Sequence, residues 1–374
     1  MQPDSFVIVL HYSFARDVRD NVPGAADVIE SILSKGYEHC FFDDLIRNNV
    51  KYKYVVSNHR VSGTTTQAPA SRVRLVSRAK NWLKGALNRV RQLAGKSGKY
   101  VVRYSDPNQY APLQIGINPV RFMYGADIGD GWSLQDWNKM YKLFLCHGPN
   151  DEAQLRKRFS GKTAVMGYPR YDRFFSSEID VNAVVREFGI DRDRETILWM
   201  PTLGDDACSI PSFAESIARL SGSYNVIVRP HPLSFQREPH KIEILESLGF
   251  KIDSQSTRDM NDLFKVADLV VCDYGGSSFG AIYLGKKLVL LNVPGAEEQY
   301  TVVNSSNLEL REHFVAVDVE DAHRLQEIIE DEVDWETQEQ VRQKLSRKYF
   351  AENYGTSARR AAEILMTLDR QLDN

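Results

Sequence analysis

The sequence predicts an α/β protein of two doubly wound, Rossmann-like halves, and three observations carry that expectation. The 374 residues exceed the size at which one hydrophobic core usually stops growing, so two domains are expected. Near-continuous apolar runs of strand length recur along the chain. Each ends in Gly, Pro or polar residues and is followed by a segment with helical spacing, the pattern of strands buried on both faces of a parallel sheet. The composition, 43% hydrophobic and 26% charged with a formal net charge of −3, is that of a folded globular chain. It excludes a disordered chain and a globally basic nucleic-acid binder.

In the first half, FVIVL (6–10) reads as a strand and ADVIESILSKG (26–36) as a helix closed by glycine. KYVVRY (99–104), VRFMYG (120–125) and KLFLCHG (142–148) read as further strands. The second half is cleaner: TILWMPT (196–202), YNVIVRPHP (224–232), ADLVVCDYGG (267–276) and KLVLLNVPG (287–295) are apolar strands with polar ends. These elements place an N-terminal domain at 1–180, a C-terminal domain at 181–350, and a final helix within 351–374 that is expected to pack back on the first domain. Cys40, Cys146, Cys208 and Cys272 are scattered, with no close pair and no histidine at metal-ligand spacing. Reduced thiols in a cytoplasm and no metal site are expected. The opening MQPDSFVIVLHYSF has no signal-peptide pattern, and no run is long and apolar enough to span a bilayer.

Ligands of parallel sheets sit beyond the carboxyl ends of the strands, so the polar strand ends are the candidate site. One is Pro201–Thr202. A second is Arg229-Pro-His231-Pro, where two prolines stiffen the backbone around an imidazole. In a third, Asp273, Gly275 and Gly276 make a tight turn into a helix that begins with Ser277 and Ser278. A helix amino terminus offers unpaired N–H groups and a positive dipole end, and glycines let a phosphate come close. The fourth is GYPRYD, which carries Arg170 and Asp172. Taken singly these are ordinary caps and core histidines; their shared position at strand ends points to one anion-binding edge.

The order GYPRYD, ILWMPT, VRPHP, CDYGGSSFGAIYLGKK and YFAENYGTSARRAAEIL resembles the CDP-glycerol glycerophosphotransferase family of teichoic-acid and capsule synthesis, over about residues 120 to 370. The resemblance implies a GT-B-like fold, two Rossmann-like domains facing a cleft, with the nucleotide donor on the C-terminal one. It implies donor binding by Thr202, Arg229, His231, Gly276, Ser277 and Ser278, with His231 meeting the leaving phosphate as charge builds on it. Family members carry a His-Gly-Thr motif whose histidine acts as general base. Here the corresponding stretch is RFMYGADIGDGW, with Tyr124 at that position. A neutral tyrosine is a poor base, so Asp127, one turn past the strand end, is expected to take the role, with Asp130 and His147 as the alternatives. Tyr124, Asp130, His147, Arg170 and Asp172 are expected on the acceptor side. The Gly-Asp-Gly at 129–131 also gives a weaker resemblance to bacterial sialyl- and Kdo-transferases, which use CMP-linked donors.

SRVRLVSRAKNWLKGALNRVRQLAGKSGK (71–99) holds nine Lys or Arg, no acid, and apolar residues including Trp82 at helical spacing. It reads either as a basic amphipathic helix drawn to an anionic membrane or as a helix packed on the first domain. Three activities follow. The leading one is transfer of glycerol phosphate, or a similar polyol phosphate, from a CDP donor to a glycan or lipid-linked acceptor. The others are inverting transfer from a CMP-sugar and UDP-N-acetylglucosamine 2-epimerase chemistry. None requires a cofactor beyond the nucleotide-linked substrate, and the expected location is the cytoplasm, peripheral on the inner face of the plasma membrane.

Overall fold

Alternating apolar runs and turn residues form eleven strands among the described residues, all in parallel pairs, in two sheets. The structure is a computed structural model and describes residues 6–9, 52–58, 111–131, 133–256 and 258–368. The expected helix at 26–36, the expected strand at 99–104, Cys40 and the basic 71–99 segment lie outside the described residues. The chain divides into two units. The first comprises Met1–Ile128, Trp132–Asp172 and Lys348–Asn374, and the second Gly129–Gly131 and Arg173–Arg347.

The first unit holds β1 (Phe6–Val9), β2 (Tyr52–Ser57), β3 (Gly116–Phe122), β4 (Leu143–Cys146) and β5 (Lys162–Val165), in the order β1-β2-β3-β4-β5. β3 begins four residues earlier than VRFMYG suggests, because Pro119 is accommodated in the strand interior and its carbonyl still accepts from the Lys142 N–H. Val56, Val120, Phe122, Leu143 and Leu145 pack against Ala361, Ile364 and Leu365 of the helix Ser357–Met366. Burying each large aliphatic or aromatic chain of that face stabilises the unit by about 1.5–3 kcal/mol.

The second unit holds β6 (Thr196–Met200), β7 (Asn225–Val228), β8 (Lys251–Ile252), β9 (Leu269–Cys272), β10 (Lys287–Leu291) and β11 (Ala316–Val317). Their order, β11-β10-β9-β6-β7-β8, reverses direction between β6 and β9. That reversal is the topological switch point, where the loops leaving neighbouring strands diverge and open a crevice. Ile197, Trp199, Val228, Val271 and Val289 form the core with Phe213, Ile217 and Leu220 of the helix Ile210–Leu220. Met200 pairs with Cys272 in register, so Pro201–Thr202 and Asp273–Tyr274 leave the sheet side by side at the switch point.

Candidate functional site

At the switch point Asp273 is the organising residue. It is fully buried, and its carboxylate accepts from the backbone N–H groups of Thr202 (2.9 Å), Ser209 (2.8 Å) and Tyr274 (2.7 Å) and from the Ser209 hydroxyl (2.8 Å). Burial pushes its pKa up to about 6, while these donors pull the other way. The carboxylate thus ties the loop after β6 to the turn after β9. Gly275 follows at φ +122°, ψ −167°, a conformation open only to glycine. A Cβ there would stand 3.5 Å from Thr202 Oγ1. The chain then enters the helix Gly276–Tyr283, whose first-turn N–H groups have no intrahelical acceptor. Gly276 and Ser277 are partly exposed, whereas Ser278 is buried and its hydroxyl donates to the Gly275 carbonyl (3.0 Å). Ser277 and Gly276 therefore face outward at the helix start, and Ser278 serves the turn.

One strand away, β7 delivers Arg229 and His231 to different ends. Arg229 is 5% exposed; its Nη1 donates to Asp253 Oδ2 (2.6 Å) and to the Gln255 carbonyl (2.6 Å). Asp253 is itself buried and also pairs with Arg258. The expected donor-binding role of Arg229 is thus replaced by a buried ion pair that holds the 253–258 loop, since an arginine this buried requires a carboxylate. His231 is exposed. Its Nδ1 accepts from the Leu233 N–H (3.2 Å), so the neutral ring carries its proton on Nε2, the tautomer that donates to an anion. Behind this loop Glu238 accepts from the Gly204 N–H (2.9 Å), the Ser234 hydroxyl (3.0 Å) and the ammonium of the fully buried Lys241 (3.0 Å). Sequence reasoning missed Glu238 and Lys241: a charged pair in a helix start reads as surface until its loop partners are known.

In the first unit Tyr124, Gly125 and Asp127 follow β3. Asp127 is partly buried, and a Cβ on Gly125 would lie 2.8 Å from Asp127 Oδ1, so the glycine lets the carboxylate fold back over the strand end. Burial pushes the Asp127 pKa up to about 6; the nearby Asp151 charge adds to this and the charges of His147 and Arg170 oppose it. His147, at the end of β4, is fully buried and shares Asp151 Oδ2 through Nδ1 (2.7 Å) and its own backbone N–H (3.0 Å). It also packs on Tyr168 at 4.4 Å between ring centroids. His147 is thus a buried partner of Asp151, with its Nε2 left without a hydrogen-bond partner among the described residues.

Asp172 is corrected as well. It is buried, and its Oδ2 accepts from the Ala358 N–H (2.6 Å), so it caps the helix Ser357–Met366. Gly167 sits at φ +92° with Asn353 Oδ1 2.2 Å and Ser357 Oγ 2.4 Å from an added Cβ. Asn353 Nδ2 donates to the Met166 carbonyl (2.7 Å), and the Tyr168 N–H donates to Ser357 Oγ (3.0 Å). The GYPRYD and ENYGTSARR motifs are therefore two halves of one joint, and only Arg170, half-buried near Asp127 in charge terms, stays a candidate ligand residue. Asp130 belongs to the second unit, where Asn304 Nδ2 donates to its Oδ2 (3.3 Å). A Cβ on Gly131 would lie 1.6 Å from the Tyr300 carbonyl oxygen. The Gly-Asp-Gly turn is thus built for close packing, and Asp130 groups with the second unit.

Among the described residues no three His, Cys, Asp or Glu side chains gather as a metal site, and no helix is long and apolar enough to cross a membrane. Cys146, Cys208 and Cys272 are buried free thiols.

Two parallel α/β units, one of them with a glycine-rich helix start at its switch point, make a GT-B-like fold. Residues 134–367 match the CDP-Glycerol:Poly(glycerophosphate) glycerophosphotransferase family, and the chain belongs to it. It is 28% identical over 170 residues to the teichoic acid poly(glycerol phosphate) polymerase of Bacillus subtilis (strain 168), covering 41% of this chain and 22% of that protein. It is 24% identical over 171 residues to the teichoic acid glycerol-phosphate primase of Bacillus spizizenii (strain ATCC 23059 / NRRL B-14472 / W23), covering 42% of each. These alignments span less than half the length of either relative. The wall teichoic acid polymerase TagF has a similar structure, with a TM-score of 0.58 at 12% identity over 100% of this chain and 91% of that one, a likeness of fold.

Proposed function

We propose that the chain transfers glycerol phosphate, or a similar polyol phosphate, from a CDP-linked donor to a hydroxyl of a glycan or lipid-linked acceptor. The observation that carries this reading is the switch-point edge: the loop at Thr202 and the turn at Tyr274 tied together by Asp273, the helix start at Gly276 and Ser277, whose first-turn N–H groups lack intrahelical acceptors, and His231 one strand away. The diphosphate lies against the helix start, and His231 Nε2–H donates to the phosphate that departs. The acceptor oxygen attacks the phosphorus that bears the glycerol. The bond from that phosphorus to the bridging oxygen breaks, and CMP leaves with the electron pair. The acceptor proton passes to Asp127, whose pKa of about 6 keeps it mostly ionised at neutral pH yet basic enough to accept a proton.

Family membership favours this reading over CMP-sugar transfer and over epimerase chemistry. The charge on the leaving phosphate is met by His231 and the helix dipole, so turnover is proposed to need no divalent metal; loss of activity in EDTA with rescue by magnesium would overturn that part. The donor assignment is tested by thermal shift with CDP, CMP, UDP and GDP. Binding to the folded state raises the melting temperature by mass action, and cytidine nucleotides are expected to do so most. A shift with UDP and none with CDP would contradict the assignment.

A further inference from the structure

Asp273 ties the loop after β6 to the turn after β9, and a second buried carboxylate ties the same loop to the segment after β7. It is Glu238, 8% exposed, between the short helix Ser234–Arg237 and the helix Pro239–Ser247. Its Oε1 accepts from the Gly204 N–H (2.9 Å) and the Lys241 ammonium (3.0 Å), and its Oε2 accepts from the Ser234 hydroxyl (3.0 Å). Ser234, 1% exposed, also donates its N–H to the His231 carbonyl (2.8 Å), and its own carbonyl accepts from the Glu238 N–H (2.9 Å). The turn that carries His231 is thus closed on Glu238 through backbone and side chain alike. Lys241 is fully buried and reaches Asp205 as well (3.1 Å), so two successive residues of the β6 loop are held from the same place.

A glutamate and a lysine three residues apart satisfy one another within a helical turn; the bonds to Gly204, Asp205 and Ser234 go beyond that. They matter because packing does not hold the β6 loop. Gly204 lies at φ +104° with no atom within 4 Å of an added Cβ, and the Asp205 side chain is 78% exposed. The His231 turn is stiffer, with prolines at 230 and 232 and Phe235 packed on the core of the second unit. Burial works against the charge of Lys241, but the hydrogen bonds to Glu238 and Asp205 raise its pKa above the ordinary value, so the pair stays ionic. A continuous series of bonds therefore runs from His231 through Ser234 and Glu238 to Gly204, along the loop to Thr202, and through Asp273 to Tyr274. His231 stands at one end of it and the helix start at Gly276 at the other.

We propose that Glu238 is a positioning residue of the donor site, which fixes the spacing between the imidazole of His231 and the loop at Thr202 so that both meet one diphosphate. Buried behind both, it acts through His231 and not on the donor itself. Groups that bind a reacting ligand have to be held to about 0.5 Å, which takes supporting hydrogen bonds behind them. With the 231–234 turn stiff and the 202–205 loop held by bonds in place of packing, the Glu238 carboxylate is the part that registers one against the other. This inference rests on the donor reading above.

The test is a double-mutant cycle on CDP affinity, measured by calorimetry on the full chain with Ser234→Ala, which breaks the side-chain link to the His231 turn and leaves the Glu238–Lys241 pair intact. Ser234→Ala and His231→Ala are each expected to weaken CDP binding about tenfold, the scale of a lost hydrogen bond to a charged group. The double variant should be no weaker than either alone, because the two residues act as one unit. Glu238→Ala should match Ser234→Ala, whereas Glu238→Gln, whose amide still bridges Gly204 and Ser234, should stay close to wild type. A role in stability alone lowers Tm without producing this coupling. Should Glu238→Ala fail to fold with Lys241 left buried, the Ser234→Ala cycle decides the question by itself. Ser234→Ala with wild-type CDP affinity, or losses that add in the double variant, would overturn the inference and leave the donor assignment standing. Wild type that binds no CDP would overturn the donor assignment and this inference together.

Discussion

Replacing Gly275 by alanine probes both the architecture and the chemistry of the switch point. At φ +122°, ψ −167° an L-residue is strained, at a cost of about 1–3 kcal/mol where the surroundings hold it there. The added Cβ meets Thr202 Oγ1 at 3.5 Å, an ordinary contact, so the penalty comes from the backbone and not from a clash. Asp273 pins the turn from one side through Thr202, Ser209 and Tyr274, and Asn307 Oδ1 accepts from the Gly275 N–H (3.1 Å) on the other. The turn cannot relax without breaking one of these bonds. For a unit of this size 1 kcal/mol corresponds to roughly 2–4 °C in Tm, so a drop of about 2–12 °C is expected. If the chain relaxes instead, the first-turn N–H groups rotate away from the phosphate, and CDP binding falls about tenfold or more for each charge-assisted bond lost. Denaturation and CDP titration of Gly275→Ala measure the two together. Unchanged Tm with unchanged CDP affinity would refute the reasoning.

Asp127→Asn should lower turnover by roughly 10²- to 10⁴-fold with donor affinity nearly unchanged. Because the base must be ionised, wild-type kcat/KM should fall as pH drops through about 6, and that limb should vanish in the variant. The same raised pKa has the opposite sign for stability: the folded state holds its proton longer than the unfolded one, so this contribution is present below about pH 4 and is lost as pH rises through about 6. Denaturant unfolding of Asp127→Asn across that range should be flatter than wild type. Asp172→Ala, which uncaps the helix Ser357–Met366, should cost about 0.5–2 kcal/mol by denaturant unfolding and leave CDP affinity alone. Reversing several charges in 71–99 should release the protein from anionic vesicles without changing turnover on a soluble acceptor; wild type that ignores such vesicles at low salt returns the segment to plain packing.

The strands of the second unit were legible because TILWM, NVIV, LVVC and KLVLL are apolar on both faces, and so were their polar ends. β5, with Lys162 and Thr163 on a half-exposed edge, and the two-residue β8 and β11 carry too little pattern to be seen. β2, YKYVVS, has the composition of a strand but offers only three apolar residues in a row with no Gly or Pro beside it. Side-chain roles were less visible than strands, since they depend on distant partners. Arg229 reads as a ligand residue until Asp253 is found beside it, and Asp172 until Ala358 is. Gly167 looks like a site glycine, yet its positive φ makes room for Asn353 and Ser357.

The central claim is tested most directly by incubating the chain with CDP-glycerol labelled in the glycerol and a polyol-phosphate-primed acceptor, following CMP and labelled acceptor together. The account predicts that both appear in equal amounts, that CMP release depends on the acceptor, and that His231→Ala weakens donor binding and turnover alike. No CMP from CDP-glycerol, with turnover of a CMP-sugar or of UDP-N-acetylglucosamine in its place, would contradict it.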